Sequence, residues 1–199
     1  MLLLTVGPPK VSLSLGPSYV EKDKNITLPV CHVTGFPPPV ITWVKVRDNR
    51  DQARTKAKDG QLSIINAQKE DSGLYECNAK NVLGHDSAVT DLNVVELPRF
   101  TVRPPAQLEM GINQKVNVSC QATGDPQPKV TWIKENGNLP SGRSRVSADG
   151  TLQILQPKVE DSGRFTCTAT SNNIFAKAVA TMKLTVKGKN ELEVAFSFL

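Results

Sequence analysis

The chain has 199 residues, 39% of them hydrophobic and 22% charged, with 4 cysteines, 14 prolines, 13 glycines and a net charge of +5. That length fits two small domains better than one large one, and the hydrophobic content is enough to bury cores, which excludes a disordered chain. No run of about 18 apolar residues occurs, so no membrane span is expected, and nucleic acid is excluded as a partner by the low aromatic content and the absence of finger spacing or an arginine-rich helix pattern.

Charge is unevenly placed. Residues 1–97 hold 11 basic and 11 acidic side chains, and residues 98–199 hold 13 and 8. A basic second half permits acidic partners such as sulfated glycans but carries no specificity by itself.

Self-similarity organises the rest. Cys31, Trp43, Asp71, Gly73 and Cys77 recur as Cys120, Trp132, Asp161, Gly163 and Cys167, at offsets of 89, 89, 90, 90 and 90 residues. The chain therefore reads as a duplicated unit of about 90 to 100 residues. Domains are expected at 8–96 and 97–187, with residues 188–199 as a tail of unknown role.

Taken in chain order, the elements are short strands punctuated by turn formers. Met1 to Leu4 lacks a basic n-region and is too short for a secretory signal. Pro8-Pro9 opens the first strand, where proline blunts a sheet edge. Ile26 to Cys31 contains Pro29 and is one residue out of step with Val116 to Cys120, which predicts a bulge, since proline cannot donate to a central ladder. Gly35-Phe36-Pro37-Pro38-Pro39 and Asp59-Gly60 are turns, and Leu62-Ser63-Ile64 alternates with a strand's period of two.

The short, apolar Val94 to Phe100 linker has no glycine or serine tract and predicts an end-to-end pair with restricted bending. The second unit repeats the pattern. Pro104-Pro105 interrupts its first strand, Val116-Asn117-Val118 and Leu152-Gln153-Ile154 alternate, and Gly124-Asp125-Pro126 and Asp149-Gly150 are turns. Both units are expected to be all-β sandwiches of antiparallel strands.

Within-repeat pairing of Cys31 with Cys77 and Cys120 with Cys167 closes loops of 46 and 47 residues. Pairing across repeats would force two separate cores to share staples. In the within-repeat scheme Trp43 and Trp132 pack on the bridges, each of which contributes roughly 3 to 4 kcal/mol by loop entropy. Four reduced, buried cysteines are the competing reading. Zinc has no ligand pair at the right spacing.

Gly35 to Trp43 and Gly124 to Trp132 resemble the G-x-P-x-P-x-[IV]-x-W run of I-set immunoglobulin domains. Glu70-Asp71-Ser72-Gly73-Leu74-Tyr75-Glu76-Cys77 and Glu160 to Cys167 are similar to that family's E–F corner and F strand. The resemblance covers about residues 8 to 187 and implies two tandem immunoglobulin-like sandwiches. It implies a tyrosine corner at Tyr75, whose hydroxyl returns to the E–F backbone, and a softer corner in domain 2, where Phe165 has no hydroxyl. It also places Arg145 against Asp161, whereas the equivalent stretch of domain 1 offers lysines. The F–G hairpin of domain 1 has the family's Asn81-Val82-Leu83-Gly84, but domain 2 reads Ser171-Asn172-Asn173-Ile174, where Asn172 or Asn173 is expected at positive φ.

No convergent catalytic set is present, and no enzyme activity, metal or cofactor is expected. His32 reads as an outward strand residue and His85 as a solvated turn residue. Lys45, Arg47, Arg50, Arg54, Lys56 and Lys58, with Asp48 and Asp51, give the C to E connection of domain 1 a charge of +4. A sulfated glycan of the heparan type is a candidate ligand there, and the competing reading is a solvated edge protected by cations. Asn25-Ile26-Thr27 and Asn117-Val118-Ser119 are N-glycosylation sequons.

The resemblance thus implies a non-catalytic extracellular module, secreted or cell-surface, that binds a protein partner, like with like or heterophilic, through the C–F–G sheet and the basic segment of domain 1. The alternatives are an intracellular structural module of the muscle or cytoskeletal kind, whose cysteines stay reduced, and part of a larger receptor kinase or matrix enzyme.

Overall fold

The computed structural model describes residues 6–47, 54–112, 114–171 and 174–188. The chain divides between Glu96 and Leu97 into two compact units. Each is a pair of packed sheets, and the expected all-β fold is observed.

In unit 1, strands β5 (Val40–Lys45), β8 (Gly73–Asn81) and β9 (Gly84–Val102) form an antiparallel sheet, to which β2 (Ser18–Glu21) adds in parallel along β9. The facing sheet is β3 (Ile26–Thr27), β7 (Gln61–Ile64) and β6 (Thr55–Lys58). Strand β1 (Gly7–Ser12) pairs with β4 (His32–Phe36). The first strand changes sheet at Gly16-Pro17, where Gly16 adopts φ +102°, a conformation that glycine takes without the usual side-chain penalty.

Unit 2 repeats the plan. Strand β10 (Gln107–Gly111) runs parallel to β17 (Ala176–Lys187), which pairs with β16 (Gly163–Ser171) and so with β13 (Lys129–Lys134). Opposite lie β11 (Val116–Val118), β15 (Leu152–Ile154) and β14 (Ser144–Val146), and β12 (Gln121–Asp125) follows Cys120. Pro104-Pro105 falls between β9 and β10, where the first strand is interrupted.

Alternation predicts the core. Leu62, Ile64, Leu152 and Ile154 are all buried, as are Val116 and Val118, while Asn117 between them is exposed. Each such aliphatic side chain contributes roughly 1.5 to 3 kcal/mol. Cys31–Cys77 and Cys120–Cys167 are disulfides, and Trp43 and Trp132 share the respective cores with them.

The extra residue of domain 1 is visible in the ladder. Leu28 N–H donates to Leu62 O and Cys31 N–H to Gly60 O, so Pro29 and Val30 sit between two ladder bonds. The pairings Ile26 with Ile64 and Val116 with Ile154 are equivalent, and from them the cysteine lies one residue further on in domain 1.

Candidate recognition surfaces

The E–F corner of each unit is a 3₁₀ turn, Lys69–Asp71 and Val159–Asp161. The aspartate of each caps its own turn. Gln68 N–H donates to Asp71 Oδ2 and Lys158 N–H to Asp161 Oδ2, both at 2.8 Å. The following serine reaches to the last strand, with Val94 N–H donating to Ser72 Oγ at 3.0 Å and Val186 N–H to Ser162 Oγ at 2.9 Å. Tyr75 Oη donates to Asp71 O at 2.9 Å. Phe165 is fully buried in the matching place.

The arginine that holds Asp161 is Arg143, not Arg145. Arg143 Nη1 lies 2.7 Å from Oδ2 and Nη2 3.0 Å from Oδ1, and Nη1 also donates to Gln156 O at 2.9 Å. Arg145 points outward on β14 and reaches Gln153 instead. Domain 1 does not rely on lysine either, because Arg54 Nη2 lies 2.6 Å from Asp71 Oδ1 and 3.5 Å from Glu70 Oε1. Register explains both corrections. Thr55 and Ser144 pair with Ile64 and Ile154, so the arginine stands one residue before the strand in each domain. The shared Arg54-Thr55 and Arg143-Ser144 pairs, 89 residues apart, were the available signal. Burial pushes the Asp161 carboxyl up, but the Arg143 hydrogen bond and the Lys158 N–H outweigh it and hold the group below its ordinary range.

Two of the six cations of the basic segment are engaged at this corner. Arg54 is committed to the corner, and Lys45 donates to Glu70 O and lies 6.0 Å from the Tyr75 ring centroid. Arg47, Lys56 and Lys58 are exposed, Lys58 3.9 Å from Asp59. Arg50 lies outside the described residues, as do Asn172 and Asn173. Phe175 takes φ +52° in the second F–G hairpin.

His32 is exposed on β4. His85 is exposed too, but lies on β9 opposite Lys80, within the hairpin's strand pairing. Asn25 and Asn117 are exposed on the side of the β3 and β11 sheets, and Asn25 Oδ1 accepts from Asn66 N–H at 2.8 Å.

The ends of the F strands clamp the B–C turns. Asn81 Nδ2 donates to Pro37 O at 3.0 Å, and Ser171 Oγ donates to Pro126 O at 2.9 Å. In domain 1 this frames a groove of about 700 Å³ lined by Pro37, Pro38, Val40, Lys80, Val82 and His85.

The outer faces of the two C–F–G sheets can be compared row by row. Domain 1 presents Val40-Lys80-His85, Thr42-Asn78-Ser87, Val44-Glu76-Val89 and then Leu74-Asp91. Domain 2 presents Lys129-Thr170-Lys177, Thr131-Thr168-Val179, Ile133-Thr166-Thr181 and Arg164-Lys183. Alternating burial along β8 and β16 confirms that these side chains face out. Among the described residues no group of His, Cys, Asp or Glu could hold a metal ion.

The model of the immunoglobulin I-set domain matches residues 98–186, and that of an immunoglobulin domain matches residues 8–81. The chain belongs to the immunoglobulin superfamily. Roundabout homolog 1 of Homo sapiens is 37% identical over 157 residues, covering 77% of this chain and 9% of that protein. The protein named probable oxidoreductase PXDNL of Homo sapiens is 33% identical over 189 residues, covering 92% of this chain and 13% of its own length. Among solved structures, extracellular domains 3–5 of Drosophila OTK match with a TM-score of 0.77 and 29% identity, over 89% of this chain and 62% of that one. This immunoglobulin pair therefore spans about a tenth of the length of these two relatives.

Proposed function

We propose that this pair of immunoglobulin domains is a non-catalytic extracellular recognition module that binds a protein partner through its C–F–G faces. The observation that carries the reading is the pair of sandwiches, each stapled by a buried disulfide, with exposed Val40, Val44, Leu74 and Val89 on one outer face. Buried structural disulfides fit an oxidising compartment. Solvated apolar side chains clustered on one sheet face are what a partner would cover.

The sequons support the same choice of face. Asn25 and Asn117 lie on the sheets that oppose the C–F–G sheets, so glycans attached there leave the C–F–G faces open. The likeness to a protein named as an oxidoreductase supports a second context, in which such a pair accompanies further domains of a longer chain. In either context the binding role is the same.

The test is secretion from a eukaryotic cell followed by thiol counting and sedimentation equilibrium. Alkylation under denaturing conditions should modify no cysteine before reduction and four after it; four free thiols at the outset would overturn the extracellular reading. A reversible dimer that Val44→Lys and Val89→Lys abolish would establish like-with-like binding through the domain 1 face. A dimer unaffected by both would refute that face, and a strict monomer would direct the search to a heterophilic partner.

A further inference from the structure

We propose that the outer face of β13, β16 and β17 in domain 2 binds a linear sulfated glycan. Cations stand at both ends of this face. Lys129 and Lys177 flank Thr170 in one row, and Arg164 and Lys183 pair in another, six residues further along β16. The two rows are about 20 Å apart along the strands, and Lys129 and Lys177 about 10 Å apart across them. Between the rows the surface is a carpet of Thr131, Thr166, Thr168 and Thr181, with exposed Ile133 and Val179.

Hydroxyls between cations suit a polyhydroxylated anionic chain lying along the strands. The carboxylates nearby are already engaged. Glu135 Oε2 is 3.1 Å from Arg164 Nε, and Glu109 Oε2 is 2.7 Å from Lys187 Nζ at the adjoining edge. The positive potential of Lys129 and Lys177 is therefore left to act on a polyanion, with Lys183 adding to it although it also faces Glu109.

Charge also favours a sulfated chain over a second copy as the occupant. The matching face of domain 1 offers Glu76 and Asp91, and Glu76 already accepts from Ser87 Oγ at 2.8 Å, while Lys80 stands on the same strand as Glu76. Two carboxylates beside a lysine can match only part of this row of cations, and the same face of a second copy would set cation against cation, whereas a sulfated chain supplies charge along its whole length. The glycan is thereby moved from the C to E segment of domain 1, where Arg54 and Lys45 are committed to the corner. An extracellular glycan as physiological ligand rests on the extracellular reading, but the binding itself does not.

The experiment is titration of the intact chain with a heparin-derived oligosaccharide across a salt series. A Lys129→Ala, Lys177→Ala, Lys183→Ala variant should bind at least tenfold more weakly at low salt. The slope of log affinity against log salt should become shallower by about 2 to 3, since each cation–anion contact contributes about 0.7 to 0.9. All three side chains are exposed, so the thermal midpoint should be unchanged. Lys56→Ala, Lys58→Ala in domain 1 should leave affinity within twofold. Equal binding by wild type and triple variant would overturn the proposal, as would loss confined to the domain 1 variant. Poly-glutamate binding as tightly as the oligosaccharide would reassign the face to acidic peptides. A dimer dissolved by the triple variant would reassign it to a second copy. Thiol counting on the same sample separates a failure of the compartment from a failure of the site.

Discussion

The two E–F corners hold the same aspartate in the same 3₁₀ turn and secure it by different means. Domain 1 uses a phenol, Tyr75 to Asp71 O, and an arginine that touches its carboxylate through one nitrogen, with Arg54 Nε buried and, among the described residues, without a hydrogen-bond partner. Domain 2 has no phenol, but Arg143 grips both oxygens of Asp161 and the carbonyl of Gln156. The Asp161 side chain is 6% exposed against 15% for Asp71. The expectation that domain 2 is softer rests on the missing hydroxyl, and the Arg143 fork is the contribution that stands against it. Bidentate guanidinium–carboxylate pairing adds geometric constraint as well as energy. The lesson is that corner stability must be read from the whole set of groups on the aspartate.

The largest contrast should appear beneath the tryptophans. Trp43 Nε1 donates to Gly60 O at 3.2 Å and Trp132 Nε1 to Gly150 O at 2.9 Å, and both glycines adopt positive φ, +76° and +84°. A Cβ on Gly150 would lie 2.1 Å from Cys120 O, whereas on Gly60 it would lie 3.0 Å from Cys31 O. Gly150→Ala should therefore cost about 4 kcal/mol or more, and Gly60→Ala about 2 kcal/mol. Amide hydrogen exchange, read separately on β16 and β8, resolves the two. Equal losses would mean that the tighter approach in domain 2 relaxes freely.

Asp161→Asn comes next. It keeps the shape, removes the charge facing Arg143, and should cost about 2 to 3 kcal/mol in urea unfolding of domain 2. The sign of its pH dependence follows from the depressed carboxyl. The stabilisation is complete above the ordinary carboxyl pKa of about 4 and is lost as pH falls through the lower value in the folded protein. Wild type and variant should thus converge in acid. Asp71→Asn, at a more exposed carboxylate with a one-nitrogen contact, should cost less than Asp161→Asn at neutral pH.

Much of this was legible from residue types alone. Cysteine, tryptophan and the Asp-x-Gly spacing fix where strands pack, because few side chains fill a bridge-and-indole core. The extra residue before Cys31 was legible because Pro29 cannot donate. The arginine partner was not, since Arg143 and Arg145 share an alternation parity and only the pairing of Ser144 with Ile154 decides which one reaches the turn. The cationic face of domain 2 was hidden for a related reason. Lys129, Arg164, Lys177 and Lys183 are scattered over 55 residues and become neighbours only through strand register, whereas in domain 1 the cations are conspicuous in sequence and Lys45 and Arg54 among them turn to the E–F corner.

The smallest effect tests the phenol directly. Tyr75→Phe should lose about 0.5 to 1.5 kcal/mol, the net worth of one hydrogen bond, with Asp71 O left to find water. Phe165→Tyr is the reciprocal change. Phe165 is as buried as Tyr75 and stands the same four residues after its aspartate, so a hydroxyl added to it points at Asp161 O. A gain of up to about 1 kcal/mol is expected, because the ring position is already filled and only the hydrogen bond is new. If Phe165→Tyr instead destabilises domain 2, then Arg143 has drawn the turn too close to admit the oxygen. The two corners would then be alternative solutions that cannot be combined.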